Sequence, residues 1–269
     1  LSVKEDFGMY LFRLLATFLK INLQQDLAYR ADALVNMGLS IMWLGWELLS
    51  LSIIFSNTQE LGGWGPGALI ALLGVWRLVN VLMATIVWPN TEKFNAGVRE
   101  GTLDYTFLQP ASSQLLVSIS RIVVWRVWDV FLAGILIVVG IGISGSTTTP
   151  LSVIIFLGLT ASGTAIIYSL WVVLISLTFW FTKFDNNVTI MQALMDAGRY
   201  PAQVYPAWLR AIITFVIPIA IATTVPLQAL RGELIWWQVI AFFLVGVVAV
   251  WVSSQVWRAG VRRYSGASS

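Results

Sequence analysis

The sequence predicts an all-α integral membrane protein. It has six transmembrane helices, an N-terminal amphipathic interfacial helix and a charged helix between the second and third spans. Three observations carry this. The 269 residues are 58% hydrophobic and 11% charged, against about 25% charged in soluble domains. The apolar residues gather into runs of the roughly 20 residues that a helix needs to cross a bilayer. Lys and Arg fall almost entirely on one side of the resulting hairpins. A helix satisfies its own backbone in lipid, which favours helices over a barrel here.

In chain order, residues 1–30 place Asp6, Arg13, Thr17, Lys20 and Gln24 on one stripe and Phe7, Leu11, Leu14, Phe18 and Ile21 opposite. That pattern suits a helix lying in the membrane surface. The alternative is an extension of the first span, which Asp26, Arg30 and Asp32 interrupt. A signal peptide is not expected, because Arg13 and Lys20 break the apolar run and no small-residue cleavage site follows.

The expected spans are 33–56, 66–88, 117–143, 151–181, 209–226 and 234–257, in a single domain over 1–269. The fourth is long enough to need tilt or a break, at Gly158 or Ser162-Gly163. The fifth is the shortest and holds Pro218 at its middle, which predicts a kink. The outer connections, 57–65, 144–150 and 227–233, are short; the inner ones, 89–116 and 182–208, are longer. No internal repeat supports an inverted-repeat carrier.

With the N-terminus in the cytoplasm, fourteen of the sixteen Lys and Arg residues lie at or near the inner face. Arg231 alone is outside and Arg77 is within a span. Both termini are therefore expected in the cytoplasm. Trp64, Trp88, Trp180, Trp208, Trp236 and Trp257 mark span ends as an interfacial belt.

The chain has no Cys and no His, which excludes thiol and imidazole chemistry and the usual zinc and haem ligands. Lys occurs at 4, 20, 93 and 183, none in a G-x-x-x-x-G-K-[ST] phosphate loop. ATP cleavage by this chain is not expected, and neither a cofactor nor nucleic-acid binding is indicated.

Charges within spans are costly and point to function. Glu47 lies ten residues before Asn57, and Arg77 twelve after Gly65. At about 1.5 Å per residue they sit roughly 15 and 18 Å below one surface, and they are expected to pair. Two readings stay open: a clip between helices, or the wall of a translocation route with Trp43, Trp46 and Trp76 offering aromatic faces. In the third span, Arg126 and Asp129 are three apart and suited to local pairing.

The stretch 89–110 is too polar for lipid. Asn90 or Thr91 is a candidate cap for a short helix, with Glu92 in its first turn and Gly101 as its stop. Such a helix presents Glu92, Lys93, Asn95, Arg99 and Glu100 to water beside Phe94 and Val98, a mixture suited to a protein groove.

Arg99-Glu100-Gly101-Thr102-Leu103-Asp104, followed by Leu108 and Pro110, resembles the inner-loop motif of ABC-2-type transporter permeases. A second similarity runs from Arg199-Tyr200-Pro201 through Tyr205-Pro206, Arg210, Pro218 and Pro226 to Leu230 and Gly232. The order and plan are similar to a compact six-span branch of bacterial exporters.

The resemblance implies a coupling helix over 92–104, within the coupling loop 89–113, seated in a separate ATPase subunit. Glu92, Lys93, Phe94, Arg99, Glu100, Gly101, Leu103 and Asp104 are its coupling residues. It also implies two permease chains, identical or paralogous, two ATP-binding subunits that hold ATP and Mg, and a place in the bacterial inner membrane. Pro218 and Pro226 would shape the exit end of the fifth helix. The substrate expectation leans to a small hydrophobic or cationic compound. A secondary carrier or a membrane scaffold without an ATPase partner is the rival reading.

Overall fold

Runs too apolar for water and too long for a soluble core fold here into long helices, and how they pack is decided by a few small and polar residues. A computed structural model describes residues 16–28, 30–109, 112–181 and 187–264. The protein is an all-α integral membrane protein. Helix α1 covers 16–28. It is followed by α2 (Arg30–Asn57), α3 (Pro66–Glu100), α4 (Leu103–Phe107), α5 (Ser113–Ile119) and α6 (Val127–Ser144). Then come α7 (Pro150–Ser176), α8 (Asn187–Ala197), α9 (Ala207–Ala211), α10 (Ile219–Leu230) and α11 (Trp236–Arg263). The connections at 58–65, 145–149 and 231–235 share one face, the short-loop face; 101–109, 112–123 and 177–181 lie at the other, the long-loop face.

Helix α3 is the axis of the molecule. Pro66 opens it at a position that needs no N–H, and Gly101 closes it at φ 69° with Thr102 N–H returning to the Gly97 carbonyl. The second span was expected to stop at 88 and a separate helix to begin at Asn90 or Thr91. Instead one helix of 35 residues runs through Pro89. Pro89 cannot donate to the Thr85 carbonyl, and Val123 N–H does so at 3.0 Å.

That donation explains a second departure. The third span is not one helix from 117: α5 ends at Ile119, and a 3₁₀ turn at Val124–Arg126 precedes α6. The Asn90 carboxamide occupies the gap. It donates to the carbonyls of Ser118 at 2.9 Å and Arg121 at 2.7 Å, and accepts from Arg121 N–H and Ser120 Oγ. Asp26 of α1 accepts from Val124 and Trp125 N–H at 2.8 and 3.2 Å. Backbone groups orphaned in lipid are expensive, so these two side chains make the break tenable. Asn90 is buried because it binds this break, not because it caps a helix.

The fourth span holds without a break, as α7 plus a 3₁₀ turn to Phe179, opened by a reciprocal Thr149–Ser152 capping box. Its glycines serve close approach instead. At Gly163 a Cβ would lie 2.6 Å from the Ala222 carbonyl, the acceptor that Pro226 leaves free in α10. Between α3 and α6, Gly67 and Gly140 face each other so closely that a Cβ on either would strike the other helix's backbone.

The fifth span departs most. Asn187 exchanges two hydrogen bonds with Asn95, near the long-loop end of α3. Met191 and Met195 are buried, and the Met195 carbonyl accepts from Trp76 Nε1 at 2.6 Å. Gln203 and Val204 lie against Gly62 in the short-loop connection. Residues 187–204 therefore travel the length of α3. The expected fifth span, 209–226, does not cross: α9 and its π-helical continuation meet α10 at 78°, with Pro218 at the turn. The turn packs on Gly198, and α10 climbs back until Arg231 covers the Trp64 ring at the short-loop face. This is a hairpin dipping in from one side. Among the described residues, five helices are long and apolar enough to cross the membrane, α2, α3, α6 with its 3₁₀ turn, α7 with its own, and α11; the polar 187–204, running from Asn95 to Gly62, makes the sixth passage.

Of the expected surface helix, 16–28 is helical and Asp6 and Arg13 lie outside the described residues. Asn22 is buried and Asp26 half-buried toward the bundle, while Leu19, Leu23 and Leu27 are exposed. That arrangement fits a lipid surround.

Candidate functional site: a charge network at mid-height and the long-loop end of α3

At mid-height, α2, α3, α6 with the 3₁₀ turn before it, and the chain just after α8 bring five charged side chains together. Arg77 of α3 is buried. Its Nη1 donates to Glu47 Oε2 at 2.8 Å and its Nη2 to the Ser40 carbonyl at 2.9 Å, both on α2. Asp129 of α6, also buried, lies 3.8 Å from Arg77 on one side and 3.8 Å from Arg126 on the other. The expected Glu47–Arg77 pair is present, and so is the Arg126–Asp129 pair.

Arg199 was placed by sequence in an inner loop. It instead reaches Glu47 at 3.6 Å and lies 4.5 Å from the Trp76 ring centre. Arg210, likewise placed inside, donates to the Gln203 and Tyr205 carbonyls beside the short-loop face. Of the fourteen cations expected at the inner face, these two lie elsewhere.

Only the Glu47–Arg77 contact is a close hydrogen-bonded ion pair; at 3.6–3.8 Å the others are charge contacts. Buried oppositely charged groups in this arrangement hold each other in place, and removing one leaves its partner uncompensated. Two small cavities flank Glu47. One, of about 140 Å³, is lined by Ser40, Arg77, Asn80, Arg126 and Asp129 among others. The second, of about 60 Å³, is lined by Trp46, Ser50, Arg199 and Tyr200 among others.

Of the three tryptophans read as aromatic faces, Trp46 lines the smaller cavity and Trp43 is exposed on α2 away from both. Trp76 is buried, with its nitrogen bound to Met195 and its face covered by Arg199. Arg199 and Asp129 were the misses. Arg199 sits in a stretch too polar to count as a span, and its Tyr200-Pro201 neighbours read as a loop.

The long-loop end of α3 sorts the expected coupling residues into two sets. Glu92, Lys93, Arg99 and Glu100 are exposed. Phe94 is buried, edge-on to Phe179 at 5.7 Å and tilted against Trp257 at 5.8 Å, so it anchors the helix rather than facing a partner. Leu103 is buried likewise. Gly101 makes the turn, and Asp104 accepts from Tyr264 after α11. Burial, then the Asp104 charge and hydrogen bond, hold the Tyr264 phenol above its usual range, so it stays a neutral donor. The apolar residues that do face out are Tyr105 and Leu108, 73% and 81% exposed, neither of which was among the expected coupling residues.

Residues 41–268 match the family described as ABC-2 family transporter protein. The chain belongs to that family. Both quoted motifs fall inside the match, which runs from the middle of α2 to past the end of α11. This ABC-2 chain is a multi-pass membrane permease of ABC transporters, a class of membrane subunit that is typically non-catalytic and works with ABC ATP-binding subunits. Comparison with curated proteins and with solved structures returned no match.

Proposed function

We propose that this ABC-2 permease is the membrane half of an ATP-driven exporter in the bacterial inner membrane. Both termini face the cytoplasm, and the long-loop face is the ATPase-docking face. Two permease chains, identical or paralogous, form the pathway and engage two ATP-binding subunits that carry ATP and Mg.

The observation that carries this is the continuity of α3. Its 35 residues span about 52 Å at ~1.5 Å per residue, from Glu100 to the short-loop face, with Arg77 on the way. At the lower end Phe94 is clasped by Phe179 and Trp257. A push on Glu92, Lys93, Arg99 and Glu100 therefore moves a rigid rod, not a loop, and a push on Tyr105 and Leu108 reaches it through Leu103, which lies against Gly97. At mid-height that rod holds α2 through Glu47 and α6 through Asp129. Nucleotide-driven closure of the ATPases would act on the pathway through these contacts. Gly101 and Leu103 set the turn, and Pro218 sets the bend of the hairpin that lines the exit side with Pro226.

Mild-detergent isolation from the native host tests it. An ATP-binding protein should co-purify, and Tyr105→Asp with Leu108→Asp should abolish its ATPase stimulation while the permease still elutes as a folded particle. Recovery of a folded permease with no ATP-binding partner in any preparation would favour the carrier or scaffold reading.

A further inference from the structure

A cavity of about 410 Å³ lies toward the long-loop side, where α1 and the start of α2 meet α3 and the break before α6. Of its lining, only Glu92 also figures in the coupling reading. Its lining includes Asp32 of α2, Trp88 and Glu92 of α3, and Arg121 and Trp125 of the break.

Among the described residues, Asp32, Glu92 and Arg121 form no ion pair, although charges of both signs line one small space. Oppositely charged side chains that share a cavity without closing on one another leave room for a ligand that carries both charges. The helices bordering the cavity turn Leu23, Leu27 and Leu34 outward, at 41%, 64% and 67% exposure. Trp88 and Trp125 line it as residues suited to the headgroup level.

We propose that this cavity holds the headgroup of a zwitterionic phospholipid with a primary ammonium, that is, phosphatidylethanolamine. Arg121 takes the phosphate by charge-assisted hydrogen bonds, and Asp32 and Glu92 accept from the ammonium. The acyl chains run along Leu23, Leu27 and Leu34. A quaternary ammonium has no N–H to give those carboxylates, and an anionic headgroup meets three carboxylates, with Asp26 beside Asp32 and Glu92, for two guanidiniums, Arg121 and Arg126. A lipid so placed joins α2 to α3 at the long-loop side, where the protein itself supplies no such ion pair.

The test uses the full chain, delipidated in detergent, exposed to equal amounts of phosphatidylethanolamine, phosphatidylcholine and phosphatidylglycerol, with retained lipid measured by native mass spectrometry. Phosphatidylethanolamine should be retained roughly tenfold over the other two, a difference of about 1.4 kcal/mol. Arg121→Gln, and Asp32→Asn with Glu92→Gln, should each remove most of that preference, while Arg258→Gln keeps it. Equal retention of the three lipids by the unaltered protein overturns the proposal, and so does an unchanged preference in the charge variants. Displacement by glycerophosphoethanolamine at the lipid's own concentration overturns the lipid assignment in favour of a soluble zwitterion. Should a variant fail to elute as a folded particle, the lipid competition on the unaltered protein decides the matter.

Discussion

Helices α2 and α3 are neighbours of similar apolar character, yet the protein holds them in opposite ways. Two-thirds of the most apolar stretch of α3 is buried, against 6% of that of α2. Helix α3 is fixed by small-residue contacts along α6 and by two hydrophobic clusters that it runs through. Helix α2 shows Leu34, Val35, Met42, Trp43, Trp46 and Ile53 outward and meets the bundle through one apolar row, Leu44, Leu48, Leu51 and Phe55, and through the Arg77 pair, with Glu47 also reached by Arg199. Packing without gaps resists movement because every displacement loses contacts on many atoms. A helix held by one apolar row and a few charges has discrete partners to exchange. Helix α3 is built as a rod, and α2 as a part that can move against it.

The difference is open to direct attack, most severely at its hinge point. Arg77→Leu should destabilise the protein by about 3–5 kcal/mol, because Glu47 and Asp129 are left buried without their shared cation. Thermal unfolding followed by gel filtration reads the loss. Pairing Glu47→Gln with Arg77→Gln should recover much of it if the pair is a clip.

On the packed side, Gly140→Leu drives a side chain into the α3 backbone and should cost about 1–3 kcal/mol in the same assay. Arg199→Gln removes a contact at 3.6 Å from a side chain one-third exposed, so a loss of about 1 kcal/mol or less is expected. Transport should fall more than stability there, if α2 exchanges partners during the cycle.

At the gentle end, Gly45→Ala on α2 meets nothing within 4 Å and should change stability by no more than about 0.5 kcal/mol. A large loss from Gly45→Ala would mean that α2 is packed against this bundle more closely than its exposure indicates.

The candidate site was half legible. Glu47 and Arg77 could be paired from depth alone, because a helix converts residue counts into height. Asp129 and Arg199 could not, because their sharing of that height depends on a broken third helix and on a polar fifth passage. Hydropathy counting works where a helix faces lipid. It fails for 187–204, which includes Asn187, Gln192, Asp196, Arg199 and Gln203 and packs one side of α8 against α3, α7 and α10 while Gln192, Asp196 and Gln203 stay exposed. The same rule took 209–226 for a crossing, since a re-entrant hairpin is as apolar as a span.

By itself the sequence determined that the chain lives in a membrane as helices, that it contains no phosphate loop, that Gly101 ends a helix and that the stretch 89–110 is too polar for lipid. These follow from local chemistry: apolar run length, absent motifs and the backbone freedom of one residue. Only the tertiary structure decided that Pro89 lies within a continuous rod, that Asn90 and Asp26 sustain a break in its neighbour, and that Phe94 anchors rather than docks. Each depends on which distant backbone group lies within hydrogen-bond or van der Waals reach, and no spacing along the chain encodes that.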